Sequence, residues 1–357
     1  MLVKGYLVMD RHIEALKVLK AGTVIPATPL ALDENRKFDP ERQKLITRYY
    51  LEAGAGGIAT AVHSTQFEIR DPEHNLFETV IKTVSDEIDA FEKETGKSVV
   101  KISGVCGETA QAVKEAELTK KLGFDAVLLS PGGLNHLSED ELIERAKAVA
   151  KVMPVIGFYL QISVGGRAFS YSFWEKFCEI ENVVAIKLAP FNRYLTLDVV
   201  RACALSSRCN DITLYTGNDD NIIPDLVTEY SFTKSDGTVV TKKCEGGLLG
   251  HWCVWTNNVC ELFKRIKKEG ATPELLTLGS QITDANAVIF DFANNFAGCI
   301  PGIHEILRRQ GLLKGIWCLN PNEVLSEGQA EEIDRIYRMY PHLNDDEFVK
   351  EFLKGRA

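Results

Sequence analysis

Eight short runs of apolar and β-branched residues alternate with longer amphipathic segments between Gly22 and Glu269. This alternation constrains the fold most strongly, because strands separated by helices favour a parallel sheet covered by helices. The runs are TVIPATPLAL, GGIATAV, SVVKISGV, AVLLSP, PVIGFYLQ, VVAIKLAP, ITLYTGN and GLLGHWCVW. They predict an α/β protein with a (β/α)₈ TIM barrel over residues 22–270. A doubly wound sheet would more often show a Gly-rich phosphate turn after its first strand, and PATPLALDEN is not one.

The amphipathic segments carry residues that start and stop helices. Asp39 precedes Pro40 at the start of one segment, and Ser138 with Glu141 forms the pattern of a capping box at another. Glycines close segments at EAGAGG and LGF, as expected for helix C-caps. These signals favour helices between the strands.

An insertion interrupts the alternation before the last strand. The stretch YSFTKSDGTVVTKKCEGG alternates around Asp236-Gly237, which indicates a type I′ turn. We therefore expect a β-hairpin at about residues 230–245, between the seventh helix and the eighth strand. Outside the barrel, residues 1–21 are predicted to form an N-terminal helical extension and residues 271–357 a C-terminal helical region.

Composition narrows the class of protein. The chain has 357 residues and a formal net charge of −9, and it lacks a long basic run, which argues against nucleic acid or an anionic membrane as partner. Its nine cysteines include no CxxC pair, which is typical of reduced thiols rather than of a disulfide framework or a zinc site. The first residues lack the features of a signal peptide, and no apolar run reaches membrane-spanning length. We expect a cytoplasmic protein.

One charged residue stands inside an apolar run. Lys187, in VVAIKLAP, falls late in the sixth predicted strand, near the barrel end where TIM-barrel catalytic groups lie. Apolar neighbours lower a lysine pKa and so supply the neutral amine that a nucleophile needs. Lys101, early in the third strand, should lie nearer the opposite end. The alternative for Lys187, a structural lysine that pairs with a carboxylate or turns outward, stays open from the pattern alone.

Other candidates lie near the ends of neighbouring strands. Tyr159, in PVIGFYLQ, ends the preceding strand, from where its hydroxyl could move protons beside Lys187. A core aromatic would fit the same pattern. Ser64 and Thr65 end the second strand in AVHSTQFE, and their hydroxyl and N–H groups could bind a carboxylate. An ordinary capped loop is the alternative for this pair.

The order and spacing of these pieces resemble the dihydrodipicolinate synthase / N-acetylneuraminate lyase family of Schiff-base aldolases, over about residues 23–315. The resemblance rests on IPATPLALDENRKFD as the first strand, AVHSTQFE in place of a Gly-Thr-Thr-Gly-Glu-like loop, and PVIGFYLQ as the tyrosine strand. It continues with NVVAIKLA as a Gly-Ile-Lys-Glu-like lysine strand, LYTGNDD as a Ser-Gly-Asp-like loop and EGGLLGHWCV as the last strand.

The resemblance implies a class I mechanism that needs no metal or other cofactor. Lys187 would form an imine with pyruvate or another 2-oxo acid, and Tyr159 would relay protons. Ser64 and Thr65 would hold the carboxylate, with Thr65 as a further relay hydroxyl, and Gly217 of LYTGNDD would border the substrate. The implied partners are a small 2-oxo acid and an aldehyde, and the implied assembly is a homotetramer or homodimer.

The chain departs from the family pattern where the second substrate is recognised. Gly132 and Gly133 stand where synthases commonly have two adjacent tyrosines, which puts a cross-subunit proton relay in doubt. Leu188 replaces a glutamate after the lysine, and His63 precedes the carboxylate loop. Arg167, in the longer loop LQISVGGR, corresponds to the family's substrate-binding arginine. The imine-forming part is kept better than the part that selects the acceptor.

Three further side chains are candidates for the substrate pocket. His251 and Trp252, near the end of the eighth predicted strand, could line the pyruvate side. His63 could act as an extra acid or base. Packing roles are the alternative for the two histidines, and a solvated loop arginine is the alternative for Arg167.

Two classes of function stay open. The first is an enzyme that makes or breaks a C–C bond through a Lys187 imine, or uses the same imine as a sugar-acid dehydratase or decarboxylase. The second is a degenerate member that binds a 2-oxo acid without turnover. Borohydride trapping with pyruvate, followed by turnover assays, would separate them. Under this hypothesis Tyr159→Phe should permit imine formation but cripple the later proton transfers.

Overall fold

The computed structural model describes residues 2–356, with side chains described from Asp10 onwards. Its strands are β1 Val24–Pro26, β2 Gly57–Thr60, β3 Val100–Val105, β4 Ala126–Leu129, β5 Val155–Leu160, β6 Val183–Ala189, β7 Thr213–Thr216, β8 Tyr230–Thr233, β9 Val239–Lys242 and β10 Cys244–Leu249. Its helices are α1 Leu2–Ala21, α2 Pro40–Ala53, α3 Phe77–Thr95, α4 Thr109–Lys121, α5 Glu139–Ala150, α6 Tyr171–Cys178, α7 Arg193–Leu205, α8 Ile222–Val227, α9 Thr256–Glu269, α10 Pro273–Ile289, α11 Cys299–Arg309, α12 Gln329–Met339 and α13 Asp346–Leu353.

Eight of these strands form a parallel barrel. The hydrogen-bonded order is β1-β10-β7-β6-β5-β4-β3-β2. A parallel bridge between Ala27, directly after β1, and Ala59 of β2 closes the barrel. Most strand residues are buried on both faces, as expected for strands with a filled barrel on one side and helices on the other. The predicted TIM barrel is confirmed.

The predicted helix caps form as the sequence indicates. The Asp39 carboxylate accepts a hydrogen bond from the Arg42 N–H at 3.0 Å, directly before Pro40. The Ser138 hydroxyl accepts from the Glu141 N–H at 3.3 Å, and the Glu141 carboxylate accepts from the Ser138 N–H at 2.7 Å. Both devices satisfy N–H groups that the first helical turn leaves free.

The hairpin before the last barrel strand is present, but its turn differs from the predicted type I′. Strands β8 and β9 pair antiparallel from Tyr230 with Lys242 to Thr233 with Val239. The Gly237 N–H donates to the Lys234 carbonyl, and Gly237 has φ of 84° whereas Asp236 keeps a negative φ. A type I turn followed by a left-handed glycine fits this geometry, because type I′ requires positive φ at both central residues.

Helices at both ends of the chain pack on the barrel. Arg11 of α1 donates to the Asp125 carboxylate at 2.6 Å and to the Glu92 carboxylate at 3.0 Å, which fastens α1 near the N-terminal ends of the strands. Helices α10 to α13 follow the barrel in the chain. Of the predicted terminal segments, Met1 and Ala357 lie outside the described residues. Among residues 2–356, no helix is both long and apolar enough to cross a membrane.

Candidate active site

A cavity opens at the C-terminal ends of the barrel strands. Its polar lining includes side chains from the ends of β2, β5, β6 and β7, namely His63, Ser64, Gln161, Lys187 and Asp219. Four aromatic rings line it as well, namely Phe158, Phe191, Phe290 and Phe296. The cavity therefore combines one amine, one carboxylate and an extensive apolar wall.

Lys187 of β6 points into this cavity. Its side chain is 8% exposed, its Nζ lies 4.4 Å from the centroid of the Phe158 ring, and no hydrogen bond or ion pair among the described residues involves it. Gly217 permits the approach of the lysine, since a Cβ at Gly217 would lie 2.5 Å from Lys187 Cε. Burial lowers the pKa of the Lys187 amine to about 8, although the charge of Asp219 opposes the change. A neutral amine is thus accessible near neutral pH.

The burial of this amine carries a stability cost that can be measured. Because the pKa of Lys187 falls from 10.5 to about 8 in the folded chain, the unfolded chain binds the proton more tightly, and the penalty grows as pH falls through this window. We expect Lys187→Met to raise the free energy of unfolding by about 2 kcal/mol at pH 7. Urea unfolding at pH 7 and pH 10 tests this, with a smaller gain expected at pH 10. An unchanged or lower stability at pH 7 would contradict the expected desolvation of Lys187.

Asp219 supplies the carboxylate of the cavity. It follows β7 and is 8% exposed, and its Oδ1 accepts a hydrogen bond from the His251 N–H at 2.9 Å. Burial raises the pKa of the Asp219 carboxyl, while the His251 N–H and the charge of Lys187 act in the opposite direction. A carboxyl group whose pKa is raised towards neutrality is suited to accept and return protons.

Tyr159 does not lie in the cavity, contrary to the predicted position of its hydroxyl beside the lysine amine. In the β5–β6 pair, Phe158 is opposite Lys187 and Tyr159 is opposite Leu188. Because neighbouring residues of a strand face opposite sides, Phe158 faces the barrel interior and Tyr159 faces the helices. The Tyr159 ring packs 5.1 Å from the Trp174 ring of α6, and its hydroxyl accepts a hydrogen bond from the Phe169 N–H at 3.1 Å.

The loop after β2 is divided between cavity and interior. Ser64 lines the cavity, with its hydroxyl donating to the Ala27 carbonyl. Thr65 is fully buried and does not line the cavity, because its hydroxyl donates to the Thr28 carbonyl at 2.7 Å. His63 lines the cavity, and burial together with the charge of Lys187 lowers its pKa to about 4, so its imidazole is neutral at pH 7. The loop thus contributes one hydroxyl and one neutral imidazole.

Three other predicted pocket residues lie elsewhere. Arg167 borders an adjoining surface pocket, where its guanidinium donates to the Leu137 carbonyl at 2.6 Å. His251 and Trp252 follow rather than end β10, which stops at Leu249, and both side chains are buried and do not line the cavity. The Trp252 ring packs 5.9 Å from that of Phe263 in α9. His251 acts on the site through its backbone N–H to Asp219.

Two phenylalanines of the cavity wall have an unusual backbone. Phe191 has φ of 52° and Phe296 has φ of 68°, a conformation that costs a bulky residue about 1–3 kcal/mol and is often found at ligand sites. The Phe191 N–H donates to the buried Asn218 carboxamide at 3.0 Å. The Phe296 N–H donates to the Asp291 carbonyl at 2.9 Å. Specific hydrogen bonds therefore hold both rings in place, 6.0 Å apart.

Sequence reasoning missed several cavity residues. Asp219 directly follows a predicted strand, in LYTGNDD, and this position at the C-terminal end of a barrel strand could have identified it as a cavity residue. Phe158 gave none, because FY occurs in a fully buried run without alternation. Phe290, Phe296 and Ile303 come from residues beyond the barrel, whose approach to the cavity no local pattern predicts.

The barrel is an α/β fold of the TIM class, and at the end where such barrels carry their active sites it has a lysine without a partner among residues 10–356. The model of the Dihydrodipicolinate synthetase family matches residues 20–229. The chain belongs to this family.

Individual relatives are more distant. The 4-hydroxy-tetrahydrodipicolinate synthase of Desulforudis audaxviator is 25% identical over 209 residues, which cover 57% of this chain and 65% of that protein, just under two thirds of its length. Dihydrodipicolinate synthase from Cyanidioschyzon merolae with lysine bound has a TM-score of 0.72 at 18% identity, covering 89% of this chain and 98% of that one. N-acetylneuraminate lyase from Fusobacterium nucleatum has a TM-score of 0.69 at 17% identity, covering 90% and 99%. These two structures share the fold.

Proposed function

We propose that this chain is a lyase or synthase that forms a Schiff base between Lys187 and pyruvate or a related 2-oxo acid. The observation that carries the proposal is the Lys187 amine, which is buried, free of partners among the described residues, and exposed only towards the cavity beside Asp219. Family membership and the synthase relatives support the same class of reaction. A structural role would instead give the amine a carboxylate, as Lys101 has in Asp89 at 2.5 Å.

The reaction requires proton carriers as well as the amine. The neutral Nζ attacks C2 of the 2-oxo acid, and loss of the carbonyl oxygen as water leaves a protonated imine. This imine withdraws electrons from C3, so C3 gives up a proton and the enamine forms. Asp219 is the proposed acceptor of this proton, with His63 as the second titratable neighbour. The Ser64 hydroxyl is the proposed contact for the substrate carboxylate, after release from the Ala27 carbonyl.

Trapping experiments test the imine. We expect incubation with pyruvate and borohydride to add one reduced pyruvyl group to the protein, mapped by mass spectrometry to the peptide that contains Lys187. Absence of an adduct with pyruvate and with other 2-oxo acids would overturn the proposal. Turnover on aldehydes and sugar acids then distinguishes an aldol enzyme from a dehydratase and from a protein that binds without turnover.

Cytoplasmic location and homotetrameric or homodimeric assembly remain predictions.

Tyr159→Phe provides a test of the β5 register. We expect turnover within about twofold of the native protein, because the hydroxyl lies outside the cavity and not beside the amine. The free energy of unfolding should fall by about 1 kcal/mol, since the Phe169 N–H loses its acceptor. Steady-state kinetics and urea unfolding provide the two measurements. A loss of turnover of about 10²-fold or more would return Tyr159 to the proton relay and contradict this register.

A further inference from the structure

We infer that the site takes an apolar, aromatic acceptor, so that its reaction is the condensation of pyruvate with an aryl aldehyde and the reverse cleavage. This inference rests on the proposed function and names its second substrate. The enamine C3 would attack the aldehyde carbon, the aldehyde oxygen would gain a proton, and water would hydrolyse the imine. The product is a 4-hydroxy-2-oxo acid with an aryl group on C4, and the released Lys187 amine is free for the next cycle.

The walls of the cavity become apolar in the direction in which the substrate would extend. Along β5 and β6 the residues that face the interior next after Phe158 and Lys187 are Leu160 and Ala189, and both line the cavity. Beyond the strands, Phe191 and Phe296 continue this wall. The imine would therefore sit at the polar end, and the group on C4 would lie among hydrocarbon side chains.

Charged groups for a polar acceptor are absent from the described lining of the cavity. Lys187 and Asp219 are already used by the reaction, and no arginine lines the cavity. Arg167 lines the adjoining pocket, which shares Leu160 and Gln161 with the cavity, and its guanidinium lies 5.5 Å from the centroid of the Phe169 ring. The Gln161 carboxamide could pair with one group of a polyhydroxylated acceptor, but its other polar groups would lie unpaired against phenylalanine, which is unfavourable.

The aromatic wall is fixed rather than incidental. Asn218 is buried, and its carboxamide oxygen accepts a hydrogen bond from the Phe191 N–H. Its amide nitrogen donates to the Asp225 carboxylate at 2.9 Å. These two hydrogen bonds stabilise the left-handed conformation of Phe191. On the other side, the Asp291 carboxylate accepts from the Gly298 N–H at 2.8 Å and closes the loop that carries Phe296. Two strained aromatic residues held from separate elements form a preorganised contact for a flat apolar group.

The test compares two aldehydes as acceptors for pyruvate in the full-length protein. We expect kcat/KM for benzaldehyde to exceed that for glyceraldehyde by about tenfold or more. Phe296→Ser should reduce the ratio of the two kcat/KM values by about tenfold, because a hydroxyl replaces the ring. Phe191→Leu is the second variant and should also reduce the ratio. It keeps the inference testable if Phe296→Ser does not fold. As a matched control, Tyr194→Ser should keep the ratio, since that side chain is 83% exposed and does not line the cavity.

The outcomes separate this inference from the proposed function. A pyruvate adduct on Lys187 together with equal or better use of glyceraldehyde, or with no use of either aldehyde, would overturn the aromatic acceptor and leave the imine intact. An unchanged ratio in both Phe296→Ser and Phe191→Leu would overturn it as well. Absence of any 2-oxo acid adduct would overturn both proposals. A benzaldehyde preference that falls in the two cavity variants and persists in Tyr194→Ser would support it.

Discussion

Lys187→Arg is expected to abolish the borohydride-stable pyruvate adduct and to lower turnover by at least about 10³-fold. Arginine keeps the positive charge but its guanidinium does not deprotonate in proteins, so no neutral amine is available to attack a carbonyl. Intact-protein mass spectrometry after borohydride treatment measures the adduct, and coupled assays measure turnover.

The chain contains its own control for this experiment. Lys101 is also buried in a barrel strand, but its amine donates to the Ser85 hydroxyl at 2.9 Å and to the Asp89 carboxylate at 2.5 Å in α3. We therefore expect peptide mapping to find the adduct at Lys187 and not at Lys101. A full adduct in Lys187→Arg, or an adduct mapped to Lys101, would assign the imine to a different lysine.

Asp219→Asn is expected to separate imine formation from turnover. Turnover should fall by about 10²- to 10⁴-fold, the usual contribution of a positioned acid–base group. Adduct formation should persist, because asparagine retains an oxygen that can accept the His251 N–H. The charge of Asp219 raises the pKa of Lys187, so its removal should lower that pKa further and shift the pH profile of adduct formation to lower pH.

The neighbouring carboxylate provides a matched control for this variant. Asp220 is the next residue, but it does not line the cavity and its carboxylate lies 4.0 Å from the Arg193 guanidinium. Asp220→Asn should leave the pH profile of adduct formation in place and keep turnover within about threefold. Equal losses in both variants would indicate a general effect on the loop after β7. An unshifted pH profile in Asp219→Asn would mean that the two charges do not interact.

The sequence predicted the barrel and the position of Lys187 because both depend on local pattern. Eight apolar runs separated by amphipathic helices leave few architectures, and a lysine late in a strand falls at a known end of the barrel. The separation of Lys187 from Lys101 is likewise seen in the structure. Cap residues such as Asp39 and Ser138 were predicted correctly, since the hydrogen bonds of a cap involve only neighbours in the chain.

Predictions that depended on facing direction or on distant chain segments were less successful. Phe158 and Tyr159 are both large, apolar in part and buried, so only the pairing with β6 decides which one faces Lys187. Thr65 was predicted beside Ser64 without knowledge that its hydroxyl is taken by the Thr28 carbonyl. The phenylalanines beyond the barrel reach the cavity through tertiary packing, which carries no periodic signal.

The loop between α10 and α11 has a consequence for how this protein can be divided. Because Asp291 shapes the segment that presents Phe296, and Ser326 donates to the same carboxylate at 2.5 Å, one wall of the cavity depends on residues more than 50 positions beyond the last barrel strand. A shortened protein that ended after α9 would keep Lys187 but would lack Phe290 and Phe296, so the cavity would be open to solvent on that side. A complete cavity therefore requires the barrel together with the segments that follow it.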